Sequence, residues 1–180
     1  MGEDEPFLEE HSVVEPRGFL GGKRIESNSD GKLRKTTFVI ACDACGHYPL
    51  NEFVICRSCR GKLCDECFTK LDGRPYCRSC LMEKIPIGAD AYKILVCIEY
   101  EVSSVREIAE LTRIEKDEIR SILAHLSAIE LVKSTGILAF TERKITADGL
   151  RALLAYGKFY EKDEDVKELK QNLEEDATGN

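Results

Sequence analysis

VICRSCRGKLCDEC, residues 54–67, places four of the chain's nine cysteines within fourteen positions. Reading outward, ten residues separate Cys45 from Cys56 and nine separate Cys67 from Cys77. Eight cysteines thus fall into four C-x-x-C pairs: Cys42/Cys45, Cys56/Cys59, Cys64/Cys67 and Cys77/Cys80. A two-residue gap lets both thiolates of a pair reach one ion while backbone N–H groups bond their sulfurs. Four pairs make two tetrahedral sites of four thiolates, the closed arrangement of structural zinc, with no position left for a reactive water. Only four residues separate Cys59 from Cys64, and Gly61 suits a tight turn between them. Such a hairpin puts neighbouring pairs on different ions. The expected ligation is therefore interleaved, with Cys42, Cys45, Cys64 and Cys67 in site 1 and Cys56, Cys59, Cys77 and Cys80 in site 2. Sequential ligation, pair one with two and three with four, is the alternative. An iron–sulfur cluster is a further one, but ferredoxin-like spacing brings three cysteines together before a distant fourth.

Charge divides the rest of the 180 residues. The net charge of -7 is concentrated at the two ends. Residues 1–31 hold eight acids against three bases, and residues 161–180 eight acids against three bases. Residues 32–84 reverse the balance, with ten bases against six acids. Acidic, polar ends of this kind read as solvated tails. No apolar run approaches the ~18 residues that span a bilayer, and the acidic start has no apolar signal core. A cytoplasmic location is expected, where thiols stay reduced and paired cysteines serve metal. The expected organisation is an acidic tail and linker over 1–37, a two-zinc, eight-cysteine module over 38–84, a Pro/Gly hinge over 85–89, a helical module over 90–160, and an acidic tail or helix extension over 161–180. GGKRIESNSDGK (21–32) has the composition of a flexible linker.

A segment of some forty-five residues buries too little apolar surface to fold alone, and metal closes that gap. Its small core is expected from Phe38, Val39, Ile40, Phe53, Val54, Ile55, Leu63, Phe68, Leu71 and Tyr76. Its bases, Arg57, Arg60 and Lys62 among them, have two readings: they offset the charge of the metal–thiolate sites, or they form a phosphate-binding patch. CRSCRGKLCDEC followed by GRPYCRSC resembles the zinc module of FYVE and related RING-like cross-brace domains, over about residues 38–82. The resemblance implies a treble-clef, cross-brace fold holding two zinc ions. Lipid-binding FYVE domains carry a basic stretch before the third cysteine. This chain has Phe53, Val54 and Ile55 there, so lipid recognition does not carry over.

From residue 90 the apolar period becomes helical. DAYKILVCIEYE (90–101) has an inward stripe that takes in Ile94, Leu95 and Ile98, and Cys97 is read as a buried apolar residue. SVREIAELTRI (104–114) opens with Ser104 and Glu107 in capping-box spacing. EKDEIRSILAHLSAIELV (115–132) presents Ile119, Ile122, Leu123, Leu126 and Ile129 on one face. LVKSTGILAFTERKIT (131–146) reads as two strands about a turn at Ser134–Gly136. TADGLRALLAYGKFY (146–160) reads as a last helix capped by Thr146. EIAELTRIEKDEIRSILAHLSAIELVK and ITADGLRALLAY resemble the winged helix-turn-helix domains of prokaryotic regulators, archaeal ones among them, over about residues 90–157. The expected fold class is thus a small multi-module chain: a two-zinc treble-clef module plus an α+β winged helix domain.

The resemblance implies that the third helix enters a major groove, offering Lys116, Arg120, Ser121 and His125, with Lys133, Arg143 and Lys144 of the wing on phosphates. Glu115, Asp117 and Glu118 at the start of that helix complement its dipole and oppose phosphate. No catalytic constellation is legible, and the three histidines are far apart in sequence; a non-enzymatic protein is expected. The leading expectation is a regulator that engages nucleic acid or a nucleic-acid-associated complex. A protein-binding adaptor is the alternative, and a RING-like ubiquitin ligase a third. Neither a small-molecule substrate nor a membrane is an expected partner. Val166, Leu169 and Leu173 could pair with a second copy in a homodimer, but three apolar positions read rather as a frayed, solvated end.

Overall fold

The computed structural model describes residues 22–27, 35–48, 50–135 and 142–178. The chain divides into two compact units, Met1–Phe68 and Thr69–Asn180. The acidic start up to residue 21 lies outside the described residues.

In the first unit, β1 (Gly22–Ser27) pairs antiparallel with β2 (Lys35–Ile40), Gly22 opposite Ile40 and Ser27 opposite Lys35. The flexible linker expected over 21–32 therefore contains a strand. Its partner KTTFVI is rich in β-branched residues, which favour a pleated surface, and linker composition did not register that partner. β3 (Val54–Ile55) and β4 (Lys62–Leu63) form a short antiparallel hairpin with Ile55 opposite Lys62. A 3-10 turn follows at Asp65–Cys67. Leu63 is buried, while Ile40, Val54 and Phe68 are half-buried. Phe53 and Ile55, expected in the core, are exposed instead. Ile55 lies in β3 and Phe53 just before it, while Val54 between them is half-buried. The side chains of Phe38 and Val39 lie outside the described residues.

In the second unit, β5 (Phe68–Leu71) pairs with β6 (Arg74–Cys77), and α1 (Arg78–Lys84) follows directly. The remaining elements are α2 (Ala89–Glu99), α3 (Val105–Thr112), α4 (Lys116–Ala128), the strands β7 (Val132–Thr135) and β8 (Glu142–Ile145), α5 (Ala147–Tyr160) and α6 (Glu164–Thr178). β7 and β8 are antiparallel, with Val132 opposite Ile145; Gly136, expected in their turn, lies outside the described residues. α2 is the centre of the core: Tyr92, Ile94, Leu95, Val96 and Cys97 are all fully buried, as are Ile108 of α3 and Ile119 and Leu126 of α4. Ser104 stands at the N-cap of α3, but its side chain makes no cap bond, so the expected capping box is not formed. Thr146 does cap α5, accepting a hydrogen bond from Gly149 N at 3.0 Å. Among the described residues no helix is long and apolar enough to cross a membrane.

Two expectations give way in this unit. Residues 85–89 are not a free hinge. Tyr156 donates to the Ile85 carbonyl at 2.6 Å, Tyr160 to that of Ile87 at 3.5 Å, and His125 Nε2 lies 2.9 Å from that of Pro86. Ile87 is fully buried. The Pro/Gly composition sets the turn, and the tyrosines of α5 hold it. The described part of the expected tail, residues 161–178, is not a frayed end either. Val166, Leu169 and Leu173 are at most 3% exposed on α6, which packs back on α2 and α3. Lys93–Asp165, Arg113–Glu168 and Lys170–Glu161 ion pairs flank the contact. Three apolar residues are too few for a coiled coil but enough to seat one helix on a preformed core.

Tyr92, Tyr156 and Tyr160 form a ring cluster, with centroids 5.2 and 5.7 Å apart and Arg78 4.9 Å over Tyr160. Tyr156→Phe should keep the packing and leave the Ile85 carbonyl unbonded, lowering stability by about 1 kcal/mol. Thermal unfolding of the full chain checks this; an unchanged midpoint would mean that the bond holds nothing in place.

Candidate metal centre

The first two knuckles are built alike. In the first, Cys42 N donates to the His47 carbonyl at 2.9 Å and Gly46 N to that of Cys42 at 2.8 Å. In the second, Cys56 N donates to the Gly61 carbonyl at 2.8 Å and Arg60 N to that of Cys56 at 3.1 Å. Each chain reversal aims both thiols to one side. Asp43 then ties the first knuckle to β4: its N donates to the Lys62 carbonyl at 2.8 Å and its carboxylate accepts from Lys62 N at 2.7 Å. The third and fourth pairs sit at the 3-10 turn and at the junction of β6 with α1.

This local geometry gathers two clusters. Cys42, Cys45, Cys64 and Cys67 form one, and Cys56, Cys59, Cys77 and Cys80 the other, with the sulfurs of each within 4.8 Å of one another. The interleaved pairing is thus the one the chain adopts. His47 belongs to neither cluster.

The donor set fits zinc. With Zn–S bonds of about 2.3 Å, a tetrahedron has S–S edges of about 3.8 Å. Cys45 Sγ and Cys64 Sγ are 3.7 Å apart. All nine cysteines are free thiols. The site also has the outer support that metal thiolates need: Cys64 N donates to Cys42 Sγ at 3.3 Å. Burial opposes ionisation of Cys42, yet the backbone N–H groups of Cys64, Cys45 and Ala44 hold its thiol down at about 6. Burial, then the neighbouring thiols, push Cys67 up, and burial with Cys42 beside it raises Cys64. Four thiols this close cannot all ionise unless a cation joins them. Each cluster is therefore able to hold one ion, and the chain two.

The expected contact residues are scattered in role. Lys116 and Ser121 of α4 and Lys133 of β7 are exposed. Arg120 is ion-paired to Asp117, and Lys144 to Glu142 at 3.2 Å. Arg143 Nη1 donates to the Ser103 carbonyl at 2.6 Å, anchoring the strand. His125 is engaged with Pro86. A shallow hollow at the α3–α4 turn is lined by Arg113, Glu115, Lys116, Asp117 and Arg120, so acids and bases share it. On the cysteine-rich side, Arg57 and Arg60 are exposed and Lys62 half-buried. Phe53 and Ile55 join them at the surface, which the hydrophobic reading of FVIC missed. No protein-family model, curated protein or solved structure matches this chain.

Proposed function

We propose that this chain is a small zinc-binding regulator that engages nucleic acid, or a complex that handles it. A treble-clef, cross-brace module would hold two zinc ions, and residues 90–160 would act as a winged helix-turn-helix. The observation that supports this most is the order α2, α3, α4, β7–β8 hairpin, α5, with Lys116 and Ser121 of α4 facing solvent. In a winged helix that face of α4 enters the major groove and the hairpin lies on the backbone. Fluorescence anisotropy with labelled duplex DNA and RNA tests it. Affinity should fall steeply as salt rises, and Lys116→Ala should lower the slope of log K on log salt by about 1. Absent binding, or affinity indifferent to salt, rejects the reading.

One observation favours a protein-binding adaptor as the second reading. Leu150 and Leu154, four residues apart on one face of α5, are 40% and 78% exposed. An apolar pair held in water on a helix whose other face is buried is costly unless a partner covers it.

A further inference from the structure

The second cysteine knuckle carries a departure that its own fold does not call for. Gly46 and Arg60 occupy the same place in two knuckles with the same hydrogen bonds, the residue after the second cysteine. Both are left-handed, with φ of 75° and 64°. Glycine adopts that conformation freely, whereas a residue with a Cβ does so against a steric cost. The other non-glycine residues with positive φ are Glu101, Arg113 and Glu130 at helix ends and Asp72 in the Asp72–Gly73 turn. Arg60 alone, among the described residues, replaces the glycine that a sister knuckle uses.

Its surroundings say what the arginine is for. FVICRSCRGKLC, residues 53–64, holds three bases and no acid; acids at its border include Glu52 and Asp43, whose carboxylate accepts from Lys62 N. Arg57 and Arg60 are both exposed. Phe53 is 38% exposed, the one aromatic among the exposed large apolar side chains of the described residues, and Ile55 beside it is 48% exposed. Lys62 Nζ lies 5.8 Å from the Phe53 ring centroid. A partly exposed ring with a lysine over it, and two exposed arginines four and seven residues further along, suits a ligand that offers flat faces and anionic links between them. Unpaired bases joined by phosphates are that ligand; a duplex keeps its base faces stacked.

We infer that residues 53–62 form a binding site for single-stranded nucleic acid, in which a base stacks on Phe53 while Arg57 and Arg60 hold the flanking phosphates. This rests on the reading of the chain as a nucleic-acid-binding protein and adds a site and a strand state to it.

The test uses the full zinc-loaded chain, a fluorescein-labelled twelve-nucleotide RNA, the same sequence as DNA, and the corresponding duplexes. Phe53→Ala should weaken single-strand binding about tenfold, with Phe53→Tyr restoring it. Arg60→Gly should lose a similar factor while the melting temperature holds or rises, because glycine relieves the left-handed backbone. Phe53→Leu serves where alanine disturbs folding. Single-strand affinity unchanged in both Phe53→Leu and Arg60→Gly overturns the site. Equal affinity for inorganic polyphosphate overturns it too, since that ligand has nothing to stack. Binding to duplex alone, weakened in Lys116→Ala with a salt slope lower by about 1, sinks this inference and leaves the broader function standing; no binding to any probe sinks both.

Discussion

Stripping the protein with a high-affinity chelator should release two zinc ions per chain and unfold residues 41–77, while the helices from 89 onward persist. The cysteine-rich segment has a thin core: Leu63 and Tyr76 are buried, but Val54, Phe68 and Leu71 only half so. Structural zinc supplies on the order of 10 kcal/mol or more per site at neutral pH, well above what so small a core provides. The elements α2 to α6 contribute no cysteine to either cluster, and their core is complete without metal. Amide spectra should therefore lose dispersion selectively over 41–77. Thiol counting gives a second readout. The eight clustered cysteines become reactive on chelation, but Cys97 stays slow at pH 8, because it is fully buried and burial pushes its thiol up to about 12. Cys56→Ser alone should reduce the metal content to one ion. If the chelated protein keeps its dispersion over 41–77 and its thiols stay unreactive, metal is not what holds this segment.

Gly149→Ala should destabilise the helical unit by about 3 kcal/mol, because a well-packed site has no room for the added methyl. An alanine Cβ there would lie 2.2 Å from the Leu131 carbonyl oxygen and 2.6 Å from Ile145 Cγ1. The carbonyl cannot step aside cheaply, since it accepts from Thr146 N at 3.0 Å and from Thr146 Oγ1 at 3.1 Å. These bonds join Leu131, between α4 and β7, to the start of α5, so any relief opens the junction between them. The melting temperature should fall by roughly 10 °C. Gly157→Ala is the control: the nearest atom there is the Glu161 carboxylate oxygen at 2.9 Å, at the end of a side chain that can move. A Gly149→Ala protein that melts within 2 °C of its parent, by our roughly 10 °C scale, would mean the junction is looser than described.

The cluster membership was legible because ligand chemistry is local. C-x-x-C spacing puts two sulfurs on one ion, and the Cys59–Cys64 gap suits a tight reversal, so chain geometry favoured the interleaved arrangement over the sequential one, and the structure adopts it. Helix positions were legible for a similar reason: Ile119, Leu123 and Leu126 share a face by spacing alone. Side-chain employment was not. Nothing in the string marks Arg143 as bonded to Ser103 or His125 to Pro86, since those partners are 40 and 39 residues away.

By itself the sequence determined four C-x-x-C pairs, enough sulfur for two ions, and the run of helices after residue 89. All of these depend on spacings shorter than a few turns. Only the tertiary structure decided that α6 closes on α2 and α3, that 85–89 is held by tyrosines, and that Phe53 faces water. Those outcomes depend on which surfaces remain uncovered once every other element has packed, a quantity no local spacing encodes.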